Sequence, residues 1–514
     1  MKKKLLFDSF FLIFLGALSS LSLPPLNFFF INFLTFSFFF IFLFRRLNFI
    51  LEKKLFFYYG WLFGFGYFIT NLYWITISLT FDENFKFLIP IALIVVPAFL
   101  ALFYGFISLF FYVFNLKNVL GSFFLFCLLF GLIEFIRGNI LTGFPWNLII
   151  YSFSDNLNFL SFLSIIGTYS FNLLVISFFT APAIYILRKS KNEIIVCIIL
   201  LLLPIIILNY GLSYKKKFLT KEIYKNDYLI RILGSNVSID RFYGNSQTEN
   251  VINELIKLSS PDQNKKTFFV WPEGIIPSTY QDELYLYDDI FKKNFNKNHY
   301  IGIGLTSRLL DGKNYKYYNS FVVFDNNLNL INHYNKINLV PFGEFIPFEN
   351  FFGKIGLKVI TNNIRSFDKG DIRDVITIQD GIFQFSFLPL ICYEIIYTGN
   401  LSENFNFDFI INISEDGWFG KSIGPKQHFA HSIFRAIENG KYVIRSSNNG
   451  MAAIVNPLGE IEQKIDYGEA GYIDFEELRS MNPTIFSIYG NKIFLIFILL
   501  YIFLIFSFIR VKNE

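Results

Sequence analysis

Ionisable and chelating groups are scarce in this chain of 514 residues. It has three cysteines, four histidines and 17% charged residues, where soluble domains carry roughly 25%. So few thiols exclude a disulfide framework. Cys127 and Cys197 fall inside apolar runs, where a small packing residue is the ordinary reading, and Cys392 is left with no evident disulfide partner. None of His299, His333, His428 and His431 adjoins Cys392 in sequence, so a Cys–His pair exists only if folding assembles one. His428 and His431 have a spacing a metal could use, but no carboxylate or thiol ligand is evident beside them, and no metal is expected. The net charge of +5 comes from short basic clusters between apolar blocks. Nucleic-acid binding needs Lys and Arg gathered on one surface, and is not expected.

What fills the chain is apolar: 53% of residues are hydrophobic and 20% aromatic. Runs near the ~20 residues needed to cross a bilayer extend over about Leu5 to Leu23, Asn27 to Phe44, Leu55 to Ile75, Phe87 to Phe114, Val119 to Ile136, Leu160 to Leu187, Ile194 to Leu212 and Ile493 to Ile509. Lys and Arg accumulate in cytoplasmic loops. Lys2 to Lys4, Arg45 with Arg46, Lys53 and Lys54, Lys117, Arg188 to Lys191, and Arg510 with Lys512 fall on one side if each run crosses once. Both termini are then cytoplasmic and the large polar segment lies outside the cytoplasm. The first run lacks a clear small-residue cleavage site, so it reads as an uncleaved helix rather than a signal peptide. Three regions follow: 1–213 with seven transmembrane helices, 214–484 as an extracytoplasmic domain, and 485–514 as a last helix with a short tail.

The polar region alternates two periods. Tyr228 to Val237, Thr267 to Trp271, Tyr300 to Thr306, Tyr318 to Phe324, Phe383 to Cys392, Phe407 to Ser414 and Tyr442 to Val455 read as strands. Glu249 to Leu258 and Gln427 to Asn439 have helical periodicity, the second closing on Gly440. Such alternation predicts a layered α/β domain.

Three polar residues stand at the ends of strand-like segments: Glu273 in Trp271-Pro272-Glu273-Gly274, Lys336 in Tyr334-Asn335-Lys336, and Cys392 in Ile391-Cys392-Tyr393-Glu394. A thiol with a pKa near 8.5 needs a base or a neighbouring cation to act as a nucleophile. Glu273 can take the proton and return it to a leaving group, while Lys336 and the Tyr393 backbone N–H can face a developing oxyanion. Within the apolar half, Glu134 and Arg137 stand one helical turn apart and are expected to pair, because intramembrane charges are costly alone.

Glu273, Lys336 and Cys392, in that order, resemble the Glu-Lys-Cys triad of the nitrilase superfamily. Asp416-Gly417-Trp418-Phe419-Gly420, Arg435-Ala436-Ile437-Glu438 and Arg445-Ser446-Ser447-Asn448-Asn449-Gly450 are similar to its apolipoprotein N-acyltransferase branch. So, in the apolar half, are Gly64-Phe65-Gly66-Tyr67 to Trp74, Glu134 with Arg137, and Thr142-Gly143-Phe144-Pro145-Trp146. Two departures stand out: Glu415 where the family more often has Asn, and Leu233-Gly234-Ser235-Asn236-Val237 where a Gln-x-Asn pattern is usual.

The resemblance implies a multi-pass helical membrane bundle of about eight transmembrane helices joined to a nitrilase-like αββα sandwich. It implies transfer of an sn-1 acyl chain from a phospholipid, with phosphatidylethanolamine the expected donor, through a Cys392 thioester. The acceptor would be the α-amino group of an S-diacylglyceryl apolipoprotein, and the setting a bacterial inner membrane with the catalytic domain periplasmic. No cofactor is required and a monomer is expected. Supporting roles fall to Glu344, Tyr393 and Glu394, and substrate contacts to Phe342, Phe345, Trp418 and Phe242. Two other readings use the same residues differently: a membrane-tethered amidase acting on small soluble amides, and a transporter or receptor for which Cys392 is dispensable.

Overall fold

A computed structural model describes residues 2–47, 52–244, 247–347, 366–399, 401–402 and 404–510. The chain divides into two compact units. One comprises Met1–Lys217, Lys421–Ala430 and Thr484–Glu514, and the other Phe218–Gly420 with His431–Pro483.

The first unit is helical wherever the sequence is continuously apolar: α1 (Lys2–Ser20), α2 (Ile31–Arg46), α3 (Lys53–Leu72), α4 (Ile89–Phe114), α5 (Val119–Asn139), a short α6 (Leu157–Leu160), α7 (Leu163–Leu187), α8 (Lys191–Leu219) and a C-terminal helix Lys492–Arg510. Among the described residues six helical segments are long and apolar enough to cross a membrane: Lys53–Thr80, Glu83–Phe114, Val119–Asn139, Leu163–Leu187, Lys191–Leu219 and Lys492–Ile509. The first two apolar runs are helical as well, but α2 has 16 residues and α1 carries Lys2, Lys3, Lys4 and Asp8.

Lipid offers no hydrophobic drive for helices to associate, so close backbone approach and ring packing hold the bundle. A Cβ on Gly16 would lie 1.9 Å from the Phe63 carbonyl oxygen, and one on Gly66 2.1 Å from that of Ile13, so these glycines let α1 and α3 touch. Phe39 stacks on Phe63 at 4.2 Å, and Phe126, Phe130 and Tyr104 continue the buried ring cluster. Glu134 and Arg137, each at most 2% exposed, do pair. Tyr104 donates to Glu134 at 2.6 Å, and Arg137 donates to the Phe144 carbonyl at 2.5 Å and to Asn147 at 3.1 Å.

Among the described residues the second unit is built on twelve strands: β1 (Tyr224–Ser235), β2 (Thr267–Val270), β3 (His299–Asp311), β4 (Asn314–Phe324), β5 (Leu330–Asn335), β6 (Ile376–Gln379), β7 (Gln384–Ile391), β8 (Phe409–Glu415), β9 (Tyr442–Asn448), β10 (Ala452–Val455), β11 (Ile461–Ile465) and β12 (Gly471–Leu478). They pair in the order β5-β4-β3-β2-β1-β9-β8-β7-β6, with β12 on β1, and β10 between β9 and β11. β1, β2 and β3 run parallel, as do β7, β8, β9 and β1.

The two halves fold over each other. β2 and β7 lie far apart in that order, yet Phe268 meets Phe385 at 5.4 Å and Phe387 at 5.9 Å, and Phe321 of β4 meets Phe387 at 5.9 Å. Side chains alternate along a strand, so Phe268 enters this inter-sheet layer while Phe269 points outward. There it joins Trp271, Ile301, Ile303 and Val322 under Val251, Ile252, Leu255 and Ile256 of helix α9 (Thr248–Ser259). Helix α9, the sheet half beneath it and the facing sheet half thus form three layers of the expected αββα sandwich.

The seven expected strands are present, with one division: Tyr442 to Val455 is two antiparallel strands, broken where Asn449 turns with a φ of 50°. β5, β6, β11 and β12 were not anticipated. β5 exposes half of its residues and β11 four of five, and both carry mixed polar sequence, so they lack the apolar alternation that marks a half-buried strand.

Candidate active site

The parallel strands deliver their C-terminal ends to one place, the usual position for a site in such sheets. Glu273 follows β2 by three residues, Cys392 follows β7 directly, and Glu415 and Asp416 close β8, while Lys336 is the residue after β5. Gly304 of β3 makes room for this crowding: a Cβ there would lie 2.4 Å from the Glu273 Cα. Cys392 sits at the elbow between β7 and a 3₁₀ turn, Cys392–Ile396, with φ of 48°. Positive φ is rare for a residue with a side chain and marks backbone held by its surroundings.

Lys336, 1% exposed, lies between two carboxylates. Its Nζ is 3.1 Å from Glu273 Oε1 and 2.9 Å from Glu344 Oε1. Asn319 of β4 donates to the same two oxygens at 2.7 and 2.6 Å. The remaining oxygens are held by backbone: Glu415 N–H donates to Glu273 Oε2 at 3.0 Å, and Val340 N–H to Glu344 Oε2 at 2.8 Å. Every carboxylate oxygen is therefore oriented.

One ammonium cannot fully compensate two buried carboxylates, and the titrations divide accordingly. Burial raises the Glu344 carboxyl above its usual range despite Lys336, with Glu273 adding to the rise. Burial opposes the Lys336 ammonium, but Glu273 and Glu344 outweigh it and hold its pKa well above the ordinary lysine value. Burial also pushes the Cys392 thiol well up, Glu273 pushes it further, and Lys336 and the Ser414 hydroxyl pull it back. The thiol therefore keeps its proton at neutral pH unless a base removes it. Ser414 donates to Asp416 at 2.7 Å, and Arg445 holds that carboxylate at 2.8 and 3.0 Å.

Glu394 ties the cysteine elbow to the lysine loop. It accepts from Ile391 N–H at 2.9 Å on one side, from Ile337 N–H at 3.0 Å and Asn338 N–H at 3.1 Å on the other, and from Tyr334 at 2.7 Å and Arg373 at 2.6 Å. Burial opposes its charge, but Arg373 and these donors hold the carboxyl below the usual range. A depressed folded pKa contributes stability above the unfolded value of about 4.3, and that stability is lost as pH falls through the folded value. Glu394→Gln strands the buried Arg373, and should cost roughly 3–5 kcal/mol at neutral pH. Thermal melts should show the variant's deficit narrowing below about pH 4; a deficit that persists unchanged there would remove the ionised carboxylate from the account.

The other expected contacts divide. Tyr393 is buried, with its ring at 5.6 Å from Tyr397. Phe242 stacks on Trp418 at 5.2 Å and lies against Gly274, the neighbour of Glu273. Phe342 is exposed at a φ of 62°, on a tight loop closed by its N–H to the Phe345 carbonyl at 2.8 Å, and Phe345 is half-buried. Asn319 and Arg373 were not anticipated. Asn319 stands beside Ser320 at the polar-to-apolar transition of β4 and left no signal of its own.

A carboxylate, an ammonium and a thiol at the strand ends of an αββα sandwich define a carbon–nitrogen hydrolase-type domain. Residues 246–479 match the Carbon-nitrogen hydrolase family model, and residues 15–181 match the Apolipoprotein N-acyltransferase N-terminal domain. Curated proteins named apolipoprotein N-acyltransferase are similar over most of their length. That of Wigglesworthia glossinidia brevipalpis is 33% identical, covering 97% of both chains, and that of Rickettsia prowazekii is 32% identical, covering 93% of both. That of Brucella melitensis biotype 1 is 32% identical over 81% of this chain and 78% of its own. Among solved structures, Saccharomyces cerevisiae Nit3 covers 49% of this chain and 90% of its own at 19% identity and a TM-score of 0.33. The chain belongs to the apolipoprotein N-acyltransferase family and is a membrane-helix acyltransferase of the nitrilase type.

Proposed function

We propose that Cys392 carries an acyl group between two lipid substrates in a ping-pong cycle. The acyl donor is the sn-1 ester of a phospholipid, phosphatidylethanolamine in particular. Glu273 takes the thiol proton as sulfur attacks the ester carbonyl, and gives it to the departing lysophospholipid alcohol. Lys336 and the Tyr393 N–H face the oxyanion that forms, and Glu344 and Asn319 hold Lys336 and Glu273 in register.

The second substrate is the α-amino group of an S-diacylglyceryl cysteine at the N-terminus of an apolipoprotein. It attacks the thioester carbonyl and loses its proton to Glu273. The C–S bond breaks, and Cys392 regains that proton as the amide is released. Phe242, Trp418, Phe342 and Phe345 offer apolar surface to acyl chains. The enzyme acts as a monomer in a bacterial inner membrane, with this unit on the periplasmic side and both termini cytoplasmic. None of these steps calls for a metal.

The observation that carries the proposal is the sharing of one buried lysine by two fully hydrogen-bonded carboxylates beside a thiol whose ionisation burial opposes. Vesicles of phosphatidylethanolamine with a short S-diacylglyceryl-cysteine peptide test it. The peptide should gain the mass of one acyl chain with the wild-type enzyme and none with Cys392→Ala. Hydrolysis of small soluble amides at an equal rate with or without phospholipid would instead establish a tethered amidase.

A further inference from the structure

Glu415 and Arg241 form an ion pair that is almost completely buried, at 1% and 0% exposure. Glu415 is one of the two places where this chain departs from the pattern of the family it resembles. A buried pair of this kind is weak as a source of stability, because desolvating both charges offsets their attraction. A pair that adds little stability can still fix geometry, and its neighbours show which geometry.

The Arg241 guanidinium is fully engaged. Besides Glu415, it donates to the Val237 and Ser238 carbonyls at 3.3 and 3.1 Å and to the Gly274 carbonyl at 3.3 Å. Gly274 is the residue after Glu273. Glu415 reaches the Glu273 carboxylate directly through its own N–H, at 3.0 Å. Its carboxylate is fixed in turn by Asn448 at 2.6 Å and by Gly417 N–H at 2.8 Å. The Arg241 guanidinium also lies 4.2 Å from the Phe242 ring centroid, and that ring stacks on Trp418.

We propose that Arg241 and Glu415 are positioning residues that clamp Glu273 at its carboxylate and at the adjoining Gly274 backbone, and set the neighbouring Phe242–Trp418 pair in the same act. Both act through Glu273, Arg241 at the Gly274 carbonyl and Glu415 by its backbone N–H on the carboxylate. The inference rests on Glu273 being the base of the proposed reaction. It assigns to this buried ion pair the task of aiming the Glu273 carboxylate at Cys392.

The test compares the full-length enzyme with Glu415→Gln, Arg241→Gln, the double variant, and Arg231→Gln. Arg231 is a control: it pairs with Asp474 across β1 and β12 and is bound to the Ser259 and Ser260 carbonyls, none of them in the site. Cys392 acylation from phosphatidylethanolamine vesicles is followed by intact mass, alongside the thermal midpoint. The expected result is a tenfold or greater fall in the saturating acylation rate for both singles, with less than a twofold change in the half-saturating vesicle concentration. The double should recover part of that rate, because an amide–amide hydrogen bond leaves no unpaired charge. Arg231→Gln should lower the midpoint and leave the rate unchanged.

Singles or a double that fold and acylate at the wild-type rate would overturn the proposal, as would an Arg231→Gln variant slowed just as much. If the singles do not fold, the double decides: a slowed rate supports the clamp, and a full rate or a failure to fold assigns the pair to stability alone. If the wild-type enzyme forms no thioester, it is the proposed reaction that fails and not the clamp.

Discussion

Glu273→Gln should slow acylation of Cys392 by about 10³-fold at neutral pH, within the range a positioned base supplies. The size follows from the surroundings of the thiol. Burial and the Glu273 charge place its pKa well above the ordinary value, so thiolate is scarce without a base. Glutamine keeps the shape of the side chain and its contact with Asn319, but cannot take a proton. The residual rate should climb steadily from about pH 7 to pH 9, because the thiol must then ionise into solvent on its own. Stopped-time intact-mass measurements of the acylated fraction read both quantities. A variant that acylates at the wild-type rate, with an unchanged pH profile, would take Glu273 out of the base role.

Lys336→Met is the second large effect, and there folding and chemistry can be separated. Loss of an oxyanion contact costs roughly 10²–10³-fold in rate. Loss of Lys336 also leaves Glu273 and Glu344 as two buried carboxylates with no cation between them. The Glu344 carboxyl, already raised by burial, should respond by holding a proton at neutral pH. Lys336→Met/Glu344→Gln removes that repulsion, so it should regain thermal stability over the single variant and recover none of the rate. A double variant that acylates as fast as wild type would show that Lys336 serves only to neutralise its neighbours.

Much of this was legible in the sequence for identifiable reasons. Continuous apolar runs fixed the helices, since a single segment in lipid satisfies its own backbone hydrogen bonds only as a helix. Strands buried on both faces, such as β8 with its Ile410, Ile411 and Ile413, announced themselves by composition. Glu273 and Cys392 stood out because each follows such a strand, whereas Lys336 follows the half-exposed β5 and stood out through the triad resemblance.

What stayed hidden depends on contacts between segments distant in the chain. Asn319 is one polar residue in a strand until β4 brings it beside Glu273 and Glu344. Glu394 looked like a neighbour of the nucleophile, and its grip on the 336–338 loop comes from pairing across some sixty residues. Glu415 read as an isolated departure, and only the fold reveals Arg241 as its partner. Phe348, the third aromatic of the loop after Lys336, lies outside the described residues.

The central claim is a thioester on one named sulfur, and intact mass spectrometry reads it directly. Purified enzyme incubated with phosphatidylethanolamine vesicles and no acceptor should gain one acyl chain, on the peptide containing Cys392. The adduct should disappear on adding the S-diacylglyceryl peptide and never form in Cys392→Ala. An adduct of equal yield in Cys392→Ala, or acyl transfer to the peptide with no adduct on Cys392 at any time, would contradict the account.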